Sequence, residues 1–411
     1  MQNNYKAVTS LNVSLKFDDQ VISVGNSAIR NNVVYFEYDS NFIKLGLEIS
    51  PLKLPIQNGL QSFNSSVFEG IAGVFNDSLP DGWGRLLLDR NLRKNGINPE
   101  TFSVLDRLAH VGENTMGALI YKPDYSENAK DGFINLDDLS DKSNEILETD
   151  TSEFFEELLA LNGSSCGARP KALIGINKEK TLIINGAKDL KDNFEHWLVK
   201  FTNSFDGKDA GAIEYVYSQI ARLAGVEIMD THLFSSKKGA GYFATKRFDR
   251  IDNKRLHLHT ACGLLHSDFR VPTLDYEDLI KLTSVLIKDA REVKKMFRLA
   301  VFNVLSNNRD DHSKNFSFLM DKQGQWKMSP AYDLTFSHGP KGEHSTMLMG
   351  EGKNPTIEHL ILLSKVADIN EVEAKNIIDQ TRDVLSKWKN LAENAGVSKA
   401  KISEIGKIIN Y

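Results

Sequence analysis

The chain has 411 residues, more than a single compact core accommodates, so two or three domains are expected. Its 41% hydrophobic and 26% charged residues match a soluble globular protein, and its formal charge of -5 argues against whole-chain attraction to nucleic acid or anionic membrane. The two cysteines, Cys166 and Cys262, are too few and too far apart for a disulfide framework or a cysteine metal site. Met1–Lys6 lacks the basic-then-apolar pattern of a signal peptide, and no run of about 18 apolar residues occurs, so a cytoplasmic chain with no membrane association is expected.

Along the chain, Leu11–Phe17 alternates strictly and Asn32–Tyr38 is rich in β-formers, so residues 1–121 read as a β-rich N-terminal subdomain. Within it, the punctuation of Asp77–Gly84 leads into a helix over Arg85–Arg93. Residues 122–150 are polar and acidic, which reads as a connecting segment. Residues 151–250 read as an α/β nucleotide-binding lobe. Trp197–Phe201 and Tyr242–Phe248 are strand-like there, and Ile213, Val216, Tyr217, Ile220, Ala221 and Ala224 recur at helical spacing ahead of Gly225. Residues 251–411 read as a helical lobe. Its apolar stripe from Val293 to Leu305 runs into the polar segment Ser306–Asn315, then a hairpin, then Ser329-Pro-Ala-Tyr-Asp333. The expected fold class is α+β, protein-kinase-like and two-lobed, with a β-rich N-terminal subdomain and an all-helical C-lobe.

The chemistry is concentrated after that stripe. Asp310 precedes Asn315 by five positions, the spacing with which phosphoryl-transfer enzymes set an aspartate to accept or orient a hydroxyl proton and an asparagine to bind Mg²⁺. Asp333 follows the hairpin and offers a second hard-oxygen Mg²⁺ ligand. Asp311 competes for the base role; the spacing favours Asp310. His312 reads as a structural or phosphate-adjacent residue. In Trp197–Phe201 the alternation isolates Lys200 from an apolar face; Glu214, in the next helix, is a candidate ion-pair partner, and an edge-strand lysine reaching solvent is the alternative. Asn162-Gly-Ser-Ser-Cys-Gly-Ala-Arg-Pro-Lys171 offers small residues, hydroxyls and two cations to a phosphate, and is as readily an ordinary surface loop. Tyr242–Phe248 leads to a hinge where backbone groups would meet adenine, or is a core strand with Lys246 and Arg247 exposed or paired.

Phe75–Gly84, Gly167–Ala172, Lys246–Arg250, Asn308–Phe318 and Pro330–Leu334 together resemble the HipA family of bacterial kinases over nearly the whole chain. The resemblance implies an ATP- and Mg²⁺-dependent serine/threonine protein kinase. Asp310 would be the catalytic base, Asn315 and Asp333 the metal ligands, and Lys200 the phosphate-contacting lysine. Gly167, Ala168, Arg169, Pro170 and Lys171 would line the ATP pocket with Lys246, Arg247 and Phe248, and His312 and Tyr332 would lie near it. It further implies autophosphorylation at Ser164, or its neighbour Ser165, with expulsion of the loop. Protein substrates such as aminoacyl-tRNA synthetases, growth arrest (persistence), and a small helix-turn-helix antitoxin through which DNA is bound indirectly are also implied. Cys166 departs from the small residue many relatives carry, and Tyr332-Asp-Leu334 lacks the glycine that follows the metal aspartate in eukaryotic kinases. Leu391–Ile405 looks like a helix-turn-helix, yet reads better as two packing helices. A DNA-binding regulator with a decayed kinase fold and a small-molecule phosphotransferase are the rival readings.

Overall fold

Alternation along the first strand builds the first sheet. The computed structural model describes residues 7–64, 66–127, 132–149, 153–165, 167–191, 193–203 and 207–409. In it β1 (Ser10–Phe17) buries Leu11, Val13, Leu15 and Phe17 and pairs antiparallel with β2 (Gln20–Arg30). With β3 (Val33–Tyr38), β4 (Gln61–Ser62) and β5 (Leu119–Lys122) the order is β4-β3-β2-β1-β5. Four helices interrupt the strands: α1 (Ser40–Leu45), α2 (Gly73–Asn76), α3 (Gly82–Lys94) and α4 (Val104–Val111). The last is fixed by a reciprocal capping box between Ser103 and Asp106.

The chain divides into two compact units. The first comprises Met1–Phe205, Ala244–His259 and Met320–Gly324; the second comprises Asp206–Phe243, Thr260–Leu319 and Gln325–Tyr411. In the first unit, α5 (Leu136–Glu148) occupies part of the segment expected to be only a polar connection. Asn135 caps it, and Leu136, Leu139 and Ile146 form a buried stripe that the acidic composition masks. After α6 (Phe155–Asn162), β6 (Lys171–Asn177) pairs antiparallel with both β7 (Ile183–Asn185) and β8 (Phe194–Lys200). As the alternation predicts, Trp197 and Val199 are buried, and so is Phe201 just beyond the strand. Cys166 lies outside the described residues.

The second unit is mostly helical. Its α7 (Ala210–Leu223) buries Ile213, Val216, Tyr217, Ile220 and Ala221, and Gly225 takes the left-handed conformation just past the helix end. β9 (Thr231–Phe234) follows, and β10 (Tyr242–Lys246) returns the chain to the first unit, where β11 (Arg250–Ile251) and β12 (Lys254–Arg255) form a hairpin. β13 (His257–Thr260) leads back. There α8 (Ala261–Leu265), β14 (Leu274–Asp275), α9 (Tyr276–Ile287) and α10 (Ala290–Leu305) precede the strand pair β15 (Ser317–Met320) and β16 (Trp326–Met328). β17 (Thr346–Met347) pairs parallel with β14, and α11 (Ile357–Val366), α12 (Glu371–Leu385), α13 (Trp388–Asn394) and α14 (Lys399–Ile409) complete the unit. The α10 stripe predicted from sequence is buried throughout and centres the core of this unit. The helix-turn-helix-like end packs into the same core through Val397, Ile402 and Ile405, and the Trp388 indole donates to the Ile402 carbonyl at 3.1 Å. No helix among the described residues is long and apolar enough to cross a membrane.

Candidate active site

In the second unit, the residues after α10 separate two adjacent carboxylates by environment. Asp311 is fully buried. It accepts from the Tyr276 hydroxyl at 2.7 Å, from His344 Nδ1 at 2.9 Å and from the Ser345 N–H at 2.9 Å. Burial, then the Asp311 charge, push the Tyr276 hydroxyl well above its ordinary range, which keeps it a donor. Asp310 is exposed, and its backbone carbonyl accepts from Asn315 Nδ2 at 2.7 Å. That bond commits the donor end of the Asn315 amide and leaves Oδ1 as the end able to ligate a cation. The Tyr332 hydroxyl donates to the Lys314 carbonyl at 2.5 Å and lies 2.5 Å from Ser317 Oγ, so the residue before Asp333 is tied to the residue before Asn315. Asp333 itself is half-buried with φ +57, a left-handed conformation uncommon for a non-glycine residue and frequent at functional sites. His312 packs at 5.3 Å from the Phe269 ring, its Nδ1 buried without a hydrogen-bond partner, and Lys314 Nζ lies 4.7 Å from the same ring.

The remaining predicted residues, Glu214 apart, lie in the first unit. Lys171 and Lys200 are register partners across β6 and β8, which places two lysines at directly opposed positions of the sheet. Pro170 and Phe201 fasten the two strand ends through a 2.8 Å backbone hydrogen bond. Ser164 and Ser165 are both buried. Ser164 Oγ accepts from the Met116 N–H at 2.7 Å, and Ser165 Oγ donates to the Asn162 carbonyl at 2.8 Å. The loop is thus held by packing, contrary to the looseness its small residues suggest. Gly167 has φ +110; Ala168 is exposed and Arg169 half-buried.

Lys246 pairs with Glu195 at 2.7 Å; burial alone would raise the Glu195 carboxyl, but that ammonium holds it below the usual range. The Arg247 guanidinium is buried and bound to Asp249 through Nε at 2.9 Å and Nη2 at 2.7 Å, and Arg250 adds a third contact at 2.6 Å. Despite complete burial, these two arginines hold the Asp249 carboxyl far below its usual range. The Arg247 backbone N–H donates to the His196 carbonyl at 2.9 Å. Phe248 is half-buried. Glu214 is buried in α7, past its first turn, and belongs to the other unit from Lys200.

Sequence reasoning missed Tyr276 and His344, which fix Asp311, and Asp81, which reaches the loop from the Asp77–Gly84 segment. The Asp-Gly pair at 81–82 was the only local signal for the last. Among the described residues no group of three or more His, Cys, Asp or Glu is placed to hold a metal ion by itself. Mg²⁺ held with substrate phosphates needs only one or two protein ligands, so Asn315 Oδ1 and the Asp333 carboxylate are chemically suitable donors.

With this geometry in hand, the comparisons with known proteins define the class. The fold is α+β, kinase-like and two-lobed. A solved structure of the Shewanella oneidensis MR-1 toxin–antitoxin system, HipA and HipB with operator DNA, matches 97% of this chain and 96% of its own with TM-score 0.68 at 15% identity. The model of the HipA N-terminal domain matches residues 20–122 and that of the HipA-like C-terminal domain matches residues 163–388. The chain belongs to the HipA family. The Sinorhizobium fredii protein named "Putative kinase Y4mE" is 27% identical over 306 residues, covering 70% of this chain and 69% of that protein. The protein named "Putative kinase Y4dM", from the same organism, is 22% identical over 218 residues, covering 47% of this chain and 50% of its own.

Proposed function

We propose that the chain is a protein serine/threonine kinase that uses ATP with Mg²⁺, and that Asp310 is its catalytic base. One observation carries the reading: of two neighbouring carboxylates, Asp311 is locked by Tyr276, His344 and the Ser345 and Thr346 N–H groups, while Asp310 is exposed beside an Asn315 amide folded onto its carbonyl. Asp310 would orient and accept the proton of an attacking hydroxyl. Asn315 and Asp333 would hold Mg²⁺, which when bound neutralises phosphate charge. Lys171 and Lys200 would draw in the phosphates, with the backbone of Gly167 to Pro170 beside them. Lys246, Phe248, His312 and Tyr332 would border the nucleotide and Glu214 would act through Lys200. A small helix-turn-helix antitoxin is the proposed partner, with DNA bound through it, in keeping with the complex solved for the Shewanella protein. A host protein, an aminoacyl-tRNA synthetase among the candidates, is the proposed substrate, and growth arrest the outcome.

The test is incubation with γ-labelled ATP, Mg²⁺ and host lysate. A labelled protein, absent with Asp310→Asn, supports the reading; transfer only to small molecules, or none, overturns it.

A further inference from the structure

Asp81 stands at the N-cap position of α3, where an aspartate ordinarily accepts from the helix's own first-turn N–H groups, yet its carboxylate makes no such bond. Instead its Oδ1 accepts from the Gly167 N–H, 86 residues along the chain. The Trp83 N–H donates to the Gly167 carbonyl at 3.0 Å, so both polar groups of one loop peptide residue are held by one helix start. The approach is closer than any side chain permits: a Cβ on Gly82 would lie 2.6 Å from the Gly167 carbonyl oxygen and 2.7 Å from Ala168 Cα. Asp81 and Trp83 are both buried, which strengthens a hydrogen bond to a charged acceptor.

We propose that Asp81 is a positioning residue that latches the Gly-rich loop inward. The helix forgoes its ordinary cap so that the carboxylate can hold Gly167, and with it the buried placement of Ser164 and Ser165. This rests on the reading of residues 163–171 as the phosphate-contacting loop. Any opening of the loop at Gly167 breaks the Asp81–Gly167 bond, so Asp81 sets how often the loop opens there.

The full-length protein tests this through hydrogen–deuterium exchange and Mg·ATP titration in Asp81→Ala and Asp81→Ser. The serine variant restores an N-cap for α3 but is too short to span to the loop, so it preserves the helix if the alanine variant fails to fold. Exchange at the Gly167 amide should quicken about tenfold or more, the factor expected when a hydrogen bond to a charged acceptor is lost. Amides of β6 should be unchanged, and Mg·ATP should bind more weakly. Unchanged Gly167 exchange in the serine variant overturns the latch, as does exchange that rises equally in β6 and α3, which would mean general loosening. Faster Gly167 exchange with unaltered Mg·ATP affinity upholds the latch and refutes the phosphate-loop reading instead.

Discussion

At the scale of single residues, the proposed base Asp310 and the buried Asp311 make different predictions. Asp310→Asn should leave the thermal midpoint unchanged and lower phosphoryl transfer by about 10²-fold or more, the low end for a positioned acid–base group. Asp311→Ala should instead destabilise the fold by ~3 kcal/mol, because His344, Tyr276 and the Ser345 N–H lose a buried acceptor. Chemical denaturation of both variants beside a kinase assay decides it; a stable Asp311→Ala that is inactive would transfer the base role. Asp333 offers a cleaner test of metal binding than an alanine scan suggests. Its left-handed φ adds about 1 kcal/mol of strain to any β-carbon residue, whereas glycine removes the carboxylate without that strain. Asp333→Gly should therefore fold at least as well as Asp333→Ala while both lose Mg²⁺-dependent ATP affinity. Calorimetry showing unchanged Mg·ATP binding in either would end the metal role.

At the scale of elements, the sequence discloses what periodicity encodes and conceals what distant partners decide. The α10 stripe, the β8 alternation and the strand pair around residues 317–328 follow from local pattern. The α5 helix was hidden because its buried stripe is only three apolar residues set in an acidic run, and composition weighs the exposed face more heavily. The spacing to Asn315 singles out Asp310 as a candidate. The burial of Asp311 was not legible, since it is decided by Tyr276 and His344, more than thirty residues away on either side. The Gly-rich loop carries the same lesson: its residues read as loose, yet Met116, Asn162 and Asp81 hold it. Incubation with Mg·ATP should nevertheless add one phosphate, on Ser164 or Ser165. Because both hydroxyls are buried, the modified residue, with about -1.5 to -2 charges, has no room to return. The modified protein should lose ATP affinity and become cleavable by protease within the loop, and Asp310→Asn should stay unmodified. Phosphate mapped only outside residues 162–167 would refute this.

At the scale of the whole molecule, stability should weaken in mild acid. Burial first, then Arg247 and Arg250, bring His196 down to about 4, and burial with His259 beside it brings His257 down to about 3. Both stay neutral in the folded chain while the unfolded chain takes up protons below the usual histidine range. The stabilisation from neutral burial is thus complete above about pH 6.5 and is lost as pH falls toward the folded values, by about 1.4 kcal/mol per pH unit per histidine. Urea midpoints between pH 7 and pH 4.5 should fall accordingly, and His196→Gln should lessen the slope by about one proton. A slope unaffected by that change would show that other groups govern acid sensitivity.

The Asp311 cluster also bears on when the protein can first act. Its partners bracket it, Tyr276 made earlier and His344 and Ser345 later, so a ribosome that has just finished residues 306–315 has produced the proposed catalytic segment without most of the groups that hold it. Chain growth runs N- to C-terminus at about 5–20 residues per second. The segment therefore waits seconds for the thirty residues that follow, and a nascent chain stalled in that interval carries Asp310 on a loop with most of its supports missing. For an enzyme proposed to attack the cell that is making it, the order of synthesis places a delay ahead of the first turnover.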